Sequence, residues 1–590
     1  MSILSVLNVG ARALQTSQLA IDVTGQNITN ADLEGYSRKR LNVTTLYAYD
    51  SIYGQMGIGA AVVNIERMRN VFIDEQIRKQ NTEVGYFTEV NKSFQRMEAI
   101  LTEPSDFGVM HSIDEFFNSW QNLSNNPDDL SARTMVLTEA NIMVDYFHKT
   151  AQELRDLRQQ KNDEIPLLLN RVNEITQEVY NLNQEVLAVE TGGVQNANDS
   201  RDRRDFILKE LAQIIDIDVV ENTNGQVTIT TCGSVLVAPS YRQQLETTTV
   251  TREMPDGSVL RDVGIRFSST RQDITPTGGQ LRGLIDSRDV YIPEYQARLD
   301  ELALALVTSV NELHIKGYNL NGYSGIKFFD DLPMDKNGNY LLDGAASKIA
   351  VSPSITSDVR NIAAASAGQD LRSDGYDIPV GLHTYGNAAV QLYRGVTYPN
   401  ISDPNELANA QRAYNIISGT VRLTATIDGV SPPLTTTQVL LREGIDYQVD
   451  YTNGTFQMLH DGYDLAKLDV KFDYYVGGFK GPEDNANAIA IAELRTKLTM
   501  TGDSLGNPTA TFAEYVSTII GRLGLNTNQS ASNLETRMFL AFQYEEQQEM
   551  VSGVSIDEEM ANLVRYQHTY TAAARLITTV DQMLDTLLNM

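Results

Sequence analysis

The sequence predicts a mixed, multidomain protein: paired terminal helices form a coiled coil, a long helical bundle forms a shaft, and all-β modules are inserted into the shaft. Three observations predict this fold class. Apolar residues recur in steps of three and four at both ends of the chain, and the same helical period returns in widely separated central segments. Strand-like alternation with Asn-Gly turns lies between those segments. At 590 residues, several domains are expected.

Both ends carry a heptad-like apolar row, which we name the N-terminal seam and the C-terminal seam. The N-terminal seam comprises Leu4, Leu7, Leu14, Ile21 and Ile28. The C-terminal seam comprises Leu563, Tyr566, Tyr570, Ile577, Val580, Leu584 and Leu587. A single helix of this length is marginal in water, so we expect residues 1–45 and 552–590 to pair as a terminal coiled-coil polymerisation domain and to bind neighbouring copies. The alternative interpretation is that each seam is one face of an ordinary core helix.

Three further segments, 46–214, 280–319 and 483–551, are expected to form a helical shaft domain. Apolar residues with the same three-four step recur in these segments, and the longest run covers residues 165–189. Pro166 stands next to the start of that run, where the first turn of a helix tolerates proline.

The period changes to strand-like alternation in two inserted regions. Residues 215–279 are expected to form a β module, because alternating apolar residues flank the turn signal Asn224-Gly225. Residues 320–482 are expected to form a larger β-rich insertion, with another hairpin at Asn453-Gly454. Within it, residues 378–478 match no pattern that assigns them a role.

The composition excludes several classes of function. The chain has 76 acidic and 47 basic residues, a formal net charge of −29, so neither nucleic acid nor an anionic membrane surface is an expected partner. The single cysteine, Cys232, rules out an intramolecular disulfide and a CxxC site. No stretch approaches the ~20 apolar residues of a membrane span, and the N-terminus lacks the pattern of a Sec signal peptide. We therefore expect no membrane insertion.

The sequence predicts no catalytic residues, no cofactor and no metal site. Asp335–Asn339 resembles the opening of an EF-hand loop but lacks its glycine and its final glutamate, which favours a polar turn. The charged run Arg201–Asp205 is interpreted as a solvated face or a subunit contact, and His314 and His568 as packing or surface residues. Two alternatives for the β region, a tethered hydrolase and a surface adhesin, stay open, although no nucleophile or carboxylate-pair motif favours the first.

Motifs at both ends resemble the signatures of bacterial flagellar axial proteins, the family of rod, hook and hook-associated proteins. Residues 27–38, NITNADLEGYSR, are similar to the N-terminal signature NIxNxxTxGYSR, with Leu33 where the family usually has threonine. Residues 553–563, GVSIDEEMANL, are similar to the C-terminal sequence GVNLDEEMANL. In the middle of the chain, residues 201–211 and 279–322 resemble the hook-associated members.

The resemblance implies a non-enzymatic structural adaptor between the hook and the filament; the hook subunit or another axial protein is the nearest alternative. It also implies export through the flagellar type III apparatus to the extracellular flagellum. The implied partners are further copies of the chain in a ring or helical layer, the hook protein, the adjoining junction protein beneath the filament, and a cytoplasmic export chaperone. On this interpretation, the terminal segments become ordered when they meet their neighbours.

Overall fold

The structure is a computed structural model of the 590-residue chain. The residues it describes are 3–46, 49–51, 54–57, 59–101, 108–191, 195–253, 259–334, 340–365, 370–378, 382, 389–393, 399, 416, 420–428, 436–451, 455–463, 466–476, 481–501 and 508–588. Long helices alternate with small antiparallel sheets, which confirms the predicted mixed, multidomain fold class. Among the helices in these ranges, none has the length and apolarity needed to cross a membrane.

The long helices supply the framework of the described chain. In chain order the helices are α1 (Ile3–Thr29), α2 (Val71–Leu101), α3 (Val109–Asn125), α4 (Leu130–Glu190), α5 (Asn198–Ile214), α6 (Gly279–Asp286), α7 (Ile292–His314), α8 (Ala345–Lys348), α9 (Pro353–Ser357), α10 (Ala486–Ala492), α11 (Phe512–Ser552) and α12 (Ile556–Leu588). A π-helical segment, Ser287–Tyr291, connects α6 to α7.

The strands pair in short antiparallel sheets. In chain order they are β1 (Lys39–Thr45), β2 (Tyr49–Ser51), β3 (Gly54–Met56), β4 (Ala60–Arg67), β5 (Asp218–Glu221), β6 (Val227–Thr231), β7 (Ser234–Val237), β8 (Leu245–Glu253), β9 (Val259–Phe267), β10 (Asp273–Ile274), β11 (Asp370–Ile378), β12 (Val390–Gln391), β13 (Arg422–Asp428), β14 (Thr436–Leu440), β15 (Tyr447–Asp450), β16 (Thr455–Met458), β17 (Lys467–Val476), β18 (Met500–Thr501) and β19 (Pro508–Ala510). The sheet orders are β1-β4, β2-β3, β5-β6-β7, β10-β9-β8, β11-β17-β13-β14, β12-β16-β15 and β18-β19.

The ribbon of β1 and β4 corrects the predicted start of the helical shaft at residue 46. Lys39 pairs with Arg67 at one end of the ribbon, and Thr45 pairs with Ala60 at the other. The β-branched residues Val62, Val63 and Ile65 favour this extended conformation. The first helix of the shaft, α2, therefore begins only at Val71.

One large apolar cluster joins α2, α3, α7, α10 and α11 to the first half of α4. The only tryptophan, Trp120 of α3, is fully buried there and lies against Phe116 and Phe328. α4 is a single helix of 61 residues, so Pro166 lies in its interior. The prediction that Pro166 lies near a helix start is wrong, because the buried face continues upstream through Leu154 and Phe147.

The second half of α4 belongs to a separate apolar cluster, which also includes α5 and the strands β6 to β10. Ile165, Val172 and Val179 of α4 are fully buried in it. The predicted turn Asn224-Gly225 connects β5 to β6, and Gly225 has a φ of +79°, which favours glycine. These elements form a compact unit beside the helical core.

Residues 326–332 and 345–364 pack into the helical core. Phe328 and Phe329 are fully buried and contact Phe116 of α3. The predicted β-rich insertion begins at residue 320 and includes these residues, and the structure corrects that boundary. The buried aromatic side chains lie in irregular backbone, which has no periodicity by which a sequence pattern could be recognised.

The strands β11 to β17 enclose a core of their own, formed by residues such as Leu423, Phe456 and Leu468. The predicted hairpin joins β15 to β16, and its turn Asn453-Gly454 lies outside the described residues. The polar turn predicted at Asp335–Asn339 also lies outside them. Within the described ranges, no group of three or more His, Cys, Asp or Glu side chains is arranged to hold a metal ion.

His314 is a buried hydrogen-bonding residue of the helical core, whereas His568 is exposed on α12. The His314 Nδ1 atom lies 2.7 Å from the carbonyl oxygen of Ile326, and the backbone N–H of Ala363 donates to Nε2 at 2.9 Å. The second bond requires an unprotonated Nε2, so the ring is neutral with its proton on Nδ1. Burial lowers the pKa of His314 to about 4, and the nearby Arg133 acts in the same direction.

Protonation of His314 is expected to destabilise the helical core. Because its pKa is lower in the folded state than in the unfolded chain, its contribution to the free energy of unfolding is complete above the unfolded value of ~6.5 and is lost as the pH falls towards 4. The loss is about 3 kcal/mol over that window. Urea unfolding followed by Trp120 fluorescence should show a weaker pH dependence in His314→Gln than in the parent chain. An equal pH dependence of the free energy of unfolding in the variant and the parent chain would contradict this role of His314.

Candidate functional site

The terminal helices α1 and α12 pack against each other in antiparallel orientation. Gly10 of α1 lies against Ile577 of α12, and near the other end of the pair Asn27 bonds to Glu559. The pair therefore brings the beginning and the end of the chain together over most of the length of both helices.

The C-terminal seam lies on the least exposed face of α12. Val580 is buried, and the exposure of Tyr570 is 37%. The other described side chains of the seam are half-buried: Leu563, Tyr566, Ile577 and Leu584. The side chain of Leu587 lies outside the described part of the chain.

The N-terminal seam does not form the buried face of α1. Most of the buried residues of α1 lie one residue earlier along the chain, in a row of Gly10, Ser17, Ala20, Thr24 and Asn27, and Val23 beside that row is also buried. The predicted residues Leu7, Leu14, Ile21 and Ile28 are half-buried beside that row, and the side chain of Leu4 lies outside the described part. Small side chains let the two helix backbones approach closely, so the contacting row of α1 is less apolar than the row that the sequence pattern selected.

At Gly10 the backbone of α1 lies close to α12. A Cβ atom at this position would lie 2.9 Å from Cγ1 of Ile577 and 3.6 Å from Cδ2 of Leu576. Gly25 lies on the same helix, and no described atom comes within 4 Å of a Cβ built there. A side chain at position 10 would therefore crowd α12, whereas a side chain at position 25 would meet open space.

Asn27 ends the buried row of α1 and is 1% exposed. Its Nδ2 donates to the Lys39 carbonyl at 2.9 Å and to Glu559 Oε2 at 3.1 Å. Its Oδ1 accepts from the Lys39 backbone N–H at 3.0 Å and from the Tyr36 hydroxyl at 2.9 Å. One amide thus fixes the end of α1, the start of β1 and the first turn of α12. We call Asn27, Tyr36, Arg38, Lys39 and Glu559 the terminal joint.

Arg38 supplies the charged contact of the terminal joint. Its Nε and Nη2 donate to Oε1 of Glu559 at 3.0 and 2.7 Å, and its Nη1 donates to Oε2 of Glu558 at 3.0 Å. The Glu559 side chain is only 4% exposed, whereas that of Glu558 is 63% exposed. The backbone N–H of Arg38 also donates to the carbonyl of Ser552, the last residue of α11, at 2.8 Å. Arg38 therefore contacts both C-terminal helices.

The charged run at the start of α5 holds the terminal joint on the shaft. The Ser37 backbone N–H donates to Asp202 at 3.2 Å, and Arg67 of β4 binds Asp202 at 2.7 Å and Asp205 at 3.0 Å. Asp202 and Arg204 are buried. The interpretation of Arg201–Asp205 as a solvated face or subunit contact is therefore wrong for the buried residues, although Arg203 is exposed. The charges alternate because each faces an opposite charge on an adjoining element.

Electrostatics at the joint depend on burial and on these ion pairs. Burial, together with Asp199 and Asp202, raises the pKa of Tyr36 to about 12, so its hydroxyl keeps the proton that it donates to Asn27. Burial alone would raise the pKa of Asp205, but the neighbouring guanidinium groups of Arg67 and Arg69 outweigh it and lower that pKa. At Asp202, by contrast, burial outweighs the attraction of Arg67 and raises the pKa of that carboxyl.

Gly35 forms the bend that brings the N-terminal motif onto α5. Its φ is +81°, and a Cβ there would lie 3.0 to 3.3 Å from side-chain atoms of Phe206. A residue with a side chain would be strained by its backbone and would also crowd Phe206. The glycine of the GYSR motif therefore permits both the turn and the contact.

Comparison with known proteins relates this joint to flagellar proteins. The model of the flagellar hook-associated protein FlgK helical domain matches residues 94–329, which include the charged run of α5. The model of the flagellar basal body rod FlgEFG protein C-terminal region matches residues 547–590, which include Glu558 and Glu559. This chain is similar to flagellar hook-associated proteins over the first of these segments and to flagellar rod proteins over the second.

Full-length relatives extend the similarity beyond these two segments. Flagellar hook-associated protein 1 of Bacillus subtilis is 25% identical over 616 aligned positions, which cover 99% of this chain and 97% of the relative. The protein of the same name from Salmonella typhimurium is 25% identical, with 99% of both chains covered. The family resemblance seen in the terminal motifs is therefore confirmed over the whole chain.

A solved structure supports the same fold. The flagellar hook junction protein FlgK from Burkholderia pseudomallei matches with a TM-score of 0.53 at 17% sequence identity. The match covers 81% of this chain and 100% of that chain.

The motifs are recognisable in the sequence, but the sequence does not show which residues of the two motifs contact each other. The quoted motifs contain Asn27, Arg38 and Glu559, whereas Arg67 and Lys39 stand outside every pattern that was recognised. A useful signal would have been the opposite charges of Arg38 and of Asp557–Glu559 in motifs at the two ends of one chain.

Removing the Glu559 carboxylate is expected to loosen α12 far more than removing that of Glu558. Glu559→Ala leaves Arg38 and the amide of Asn27 without their partner, at a cost of about 2–4 kcal/mol. Glu558→Ala removes an exposed ion pair that contributes at most about 1 kcal/mol. Hydrogen exchange of α12 amides, measured by mass spectrometry on both variants, checks this. Equal loss of protection in the two variants would show that burial of Glu559 is not what holds α12.

Proposed function

We propose that this chain is a structural adaptor of the bacterial flagellum that joins the hook to the filament. The observation that carries the proposal is the similarity to hook-associated protein 1 along the whole chain, combined with a terminal joint in which the family's N-terminal and C-terminal motifs bind each other. The relatives are named flagellar hook-associated proteins, and we propose no enzymatic role for this chain.

The terminal pair is proposed to be the polymerisation unit, comprising residues 1–45 and 552–590. Each of its helices buries only one face against the other and leaves apolar side chains on the outside. On α12 they include Met560, Val564, Leu576 and Met583, which are 41–55% exposed. On α1 the half-buried N-terminal seam, including Leu7, Leu14 and Ile21, lies beside the paired face. Copies of the chain packed side by side would cover both sets.

The partners follow from this role. We propose that the chain binds copies of itself in a ring or helical layer, with the hook protein on one side and the adjoining junction protein beneath the filament on the other. We further propose that a cytoplasmic chaperone accompanies the chain before export through the flagellar type III apparatus to the extracellular flagellum. The net charge of −29 supports the proposal that nucleic acid is not a partner.

The function is tested by electron microscopy of cells that lack this chain, with flagellin assayed in the medium. An adaptor between hook and filament predicts hooks without filaments and flagellin released into the medium. Cells without hooks would instead place the chain lower in the axis, and cells with normal filaments would refute an axial role.

The terminal pair is tested by restoring the chain to those cells as Gly10→Val or as Gly25→Val. Both substitutions change helix propensity equally, but only the side chain at position 10 meets Ile577. Overpacking there costs about 1–3 kcal/mol and separates α1 from α12. Gly25→Val should restore filaments, and Gly10→Val should restore far fewer while the secreted protein keeps its folded shaft. Equal restoration would remove the terminal pair from the assembly mechanism and leave the adaptor role intact.

A further inference from the structure

The shaft contains two separate apolar cores that share one helix. The first half of α4 contributes to the helical core as far as Leu157. From Ile165 onward, α4 contributes to the second cluster, with α5 and the strands β6 to β10. The residues between these two positions belong to neither core, although the helix continues through them.

A layer of buried charged and amide side chains fills this gap. On α4 it contains Arg158, Lys161 and Asn162, which are 8%, 4% and 4% exposed. One guanidinium nitrogen of Arg158 donates to both carboxylate oxygens of Asp262 on β9, at 2.8 and 2.7 Å. Lys161 lies 3.5 Å from Glu89 of α2, which is also buried. The layer thus connects three elements across the shaft.

Arg288 of the π-helical segment closes the layer. Its Nη1 donates to the Val263 carbonyl at 2.6 Å and to Oδ1 of Asn162 at 3.1 Å. The same Oδ1 accepts from the Val263 backbone N–H at 2.8 Å. We name Arg158, Lys161, Asn162, Glu89, Asp262 and Arg288 the polar layer.

The backbone is interrupted at the same level in the two chain segments that connect the units. The helix α2 also contacts both units, because it packs on α5 and α6 and enters the helical core, and it crosses this level as a regular helix. Pro166 has no N–H group, so the i to i−4 hydrogen bond to the carbonyl of Asn162 cannot form within α4. The second connection between the two units is the π-helical segment Ser287–Tyr291, a form that interrupts regular helices and is frequent at functional sites. Two independent backbone irregularities therefore coincide with the charged layer.

We propose that the polar layer is a bending joint inside the shaft, about which the unit of α5 and β5–β10 tilts relative to the helical core. Close-packed apolar cores resist deformation, whereas a layer of ion pairs contributes little net stability and can exchange partners as the units move. Asp289 lies 3.8 Å from Arg158 and provides an alternative partner for it. The inference concerns the isolated chain and does not depend on the proposed function.

Spin-label distance measurements on the full chain test the joint. The substitution Cys232→Ser first removes the native thiol. Spin labels at His111→Cys on α3 and at Thr249→Cys on β8 then report the distance between the two units. Both positions are exposed, as is Thr138, which serves for the control pair. Labels at His111→Cys and Thr138→Cys, both within the helical core, give the width expected for a rigid unit. The distribution across the joint should be at least twice as wide as within the core. Equal widths would overturn the proposal.

Two further variants assign the motion to the polar layer. Pro166→Ala restores the missing N–H donor, and the pair Arg158→Met with Asp262→Leu replaces the central ion pair with apolar side chains. Each variant should narrow the distribution of spin-label distances across the joint towards the width measured between the two labels within the helical core. Pro166→Ala alone decides the outcome if the double variant does not fold. A distribution that stays wide in every folded variant would show that the motion arises elsewhere.

Discussion

The side-chain amide of Asn27 is the contact on which the arrangement of the ends depends. It binds Glu559, which is 532 positions away in sequence, and its other bonds fix the start of β1. Disrupting a buried amide that makes all four of its hydrogen bonds is costly, because removal of any partner leaves a buried polar atom without a hydrogen-bond partner. The joint therefore holds α1, β1 and α12 as one unit, even though the terminal pair alone has little apolar core.

Charge is used in two different ways along the chain. At the terminal joint and in the charged cluster beside it, Arg38, Arg67 and Arg69 pair with carboxylates that come from distant segments, so the ion pairs specify which segments meet. In the shaft, the pair of Arg158 and Asp262 lies between two apolar cores that are continuous on either side. Buried ion pairs contribute less to stability than apolar packing of the same volume, so both positions are better explained by specificity or by motion than by stability.

The elements that could be predicted from the sequence are those in which large apolar side chains recur at helical spacing. The C-terminal seam lies on the inner face of α12 because its partner, the small-residue row of α1, leaves room for Ile577 and its neighbours. For the same reason the pattern did not select the row of α1 that is buried in the pair: hydrophobicity ranks Leu14 above Ser17, although close packing of the two helices requires the smaller residue. Steric fit between two helices is a property of the pair, and neither sequence segment contains it alone.

Other features could not be predicted, because their determinants are non-local. The apolar run downstream of Pro166, taken alone, predicts that a helix starts at this proline. Only the packing of Phe147 and Leu154 shows that α4 begins well upstream of it. The buried aromatic pair Phe328 and Phe329 has no regular spacing, so its place in the helical core depends on contacts with α3.

The offset between the two rows of α1 has a consequence for assembly. Because small residues face α12, the large side chains of the N-terminal seam lie at the edge of the pair, where a neighbouring helix can reach them. A seam buried within the pair would have given a more stable monomer with less apolar surface left for its neighbours. Under the proposed function, the same leucine and isoleucine residues that the pair leaves half-buried become core residues when copies pack side by side. The weak internal packing of the terminal pair would thus favour the assembled state over the free chain.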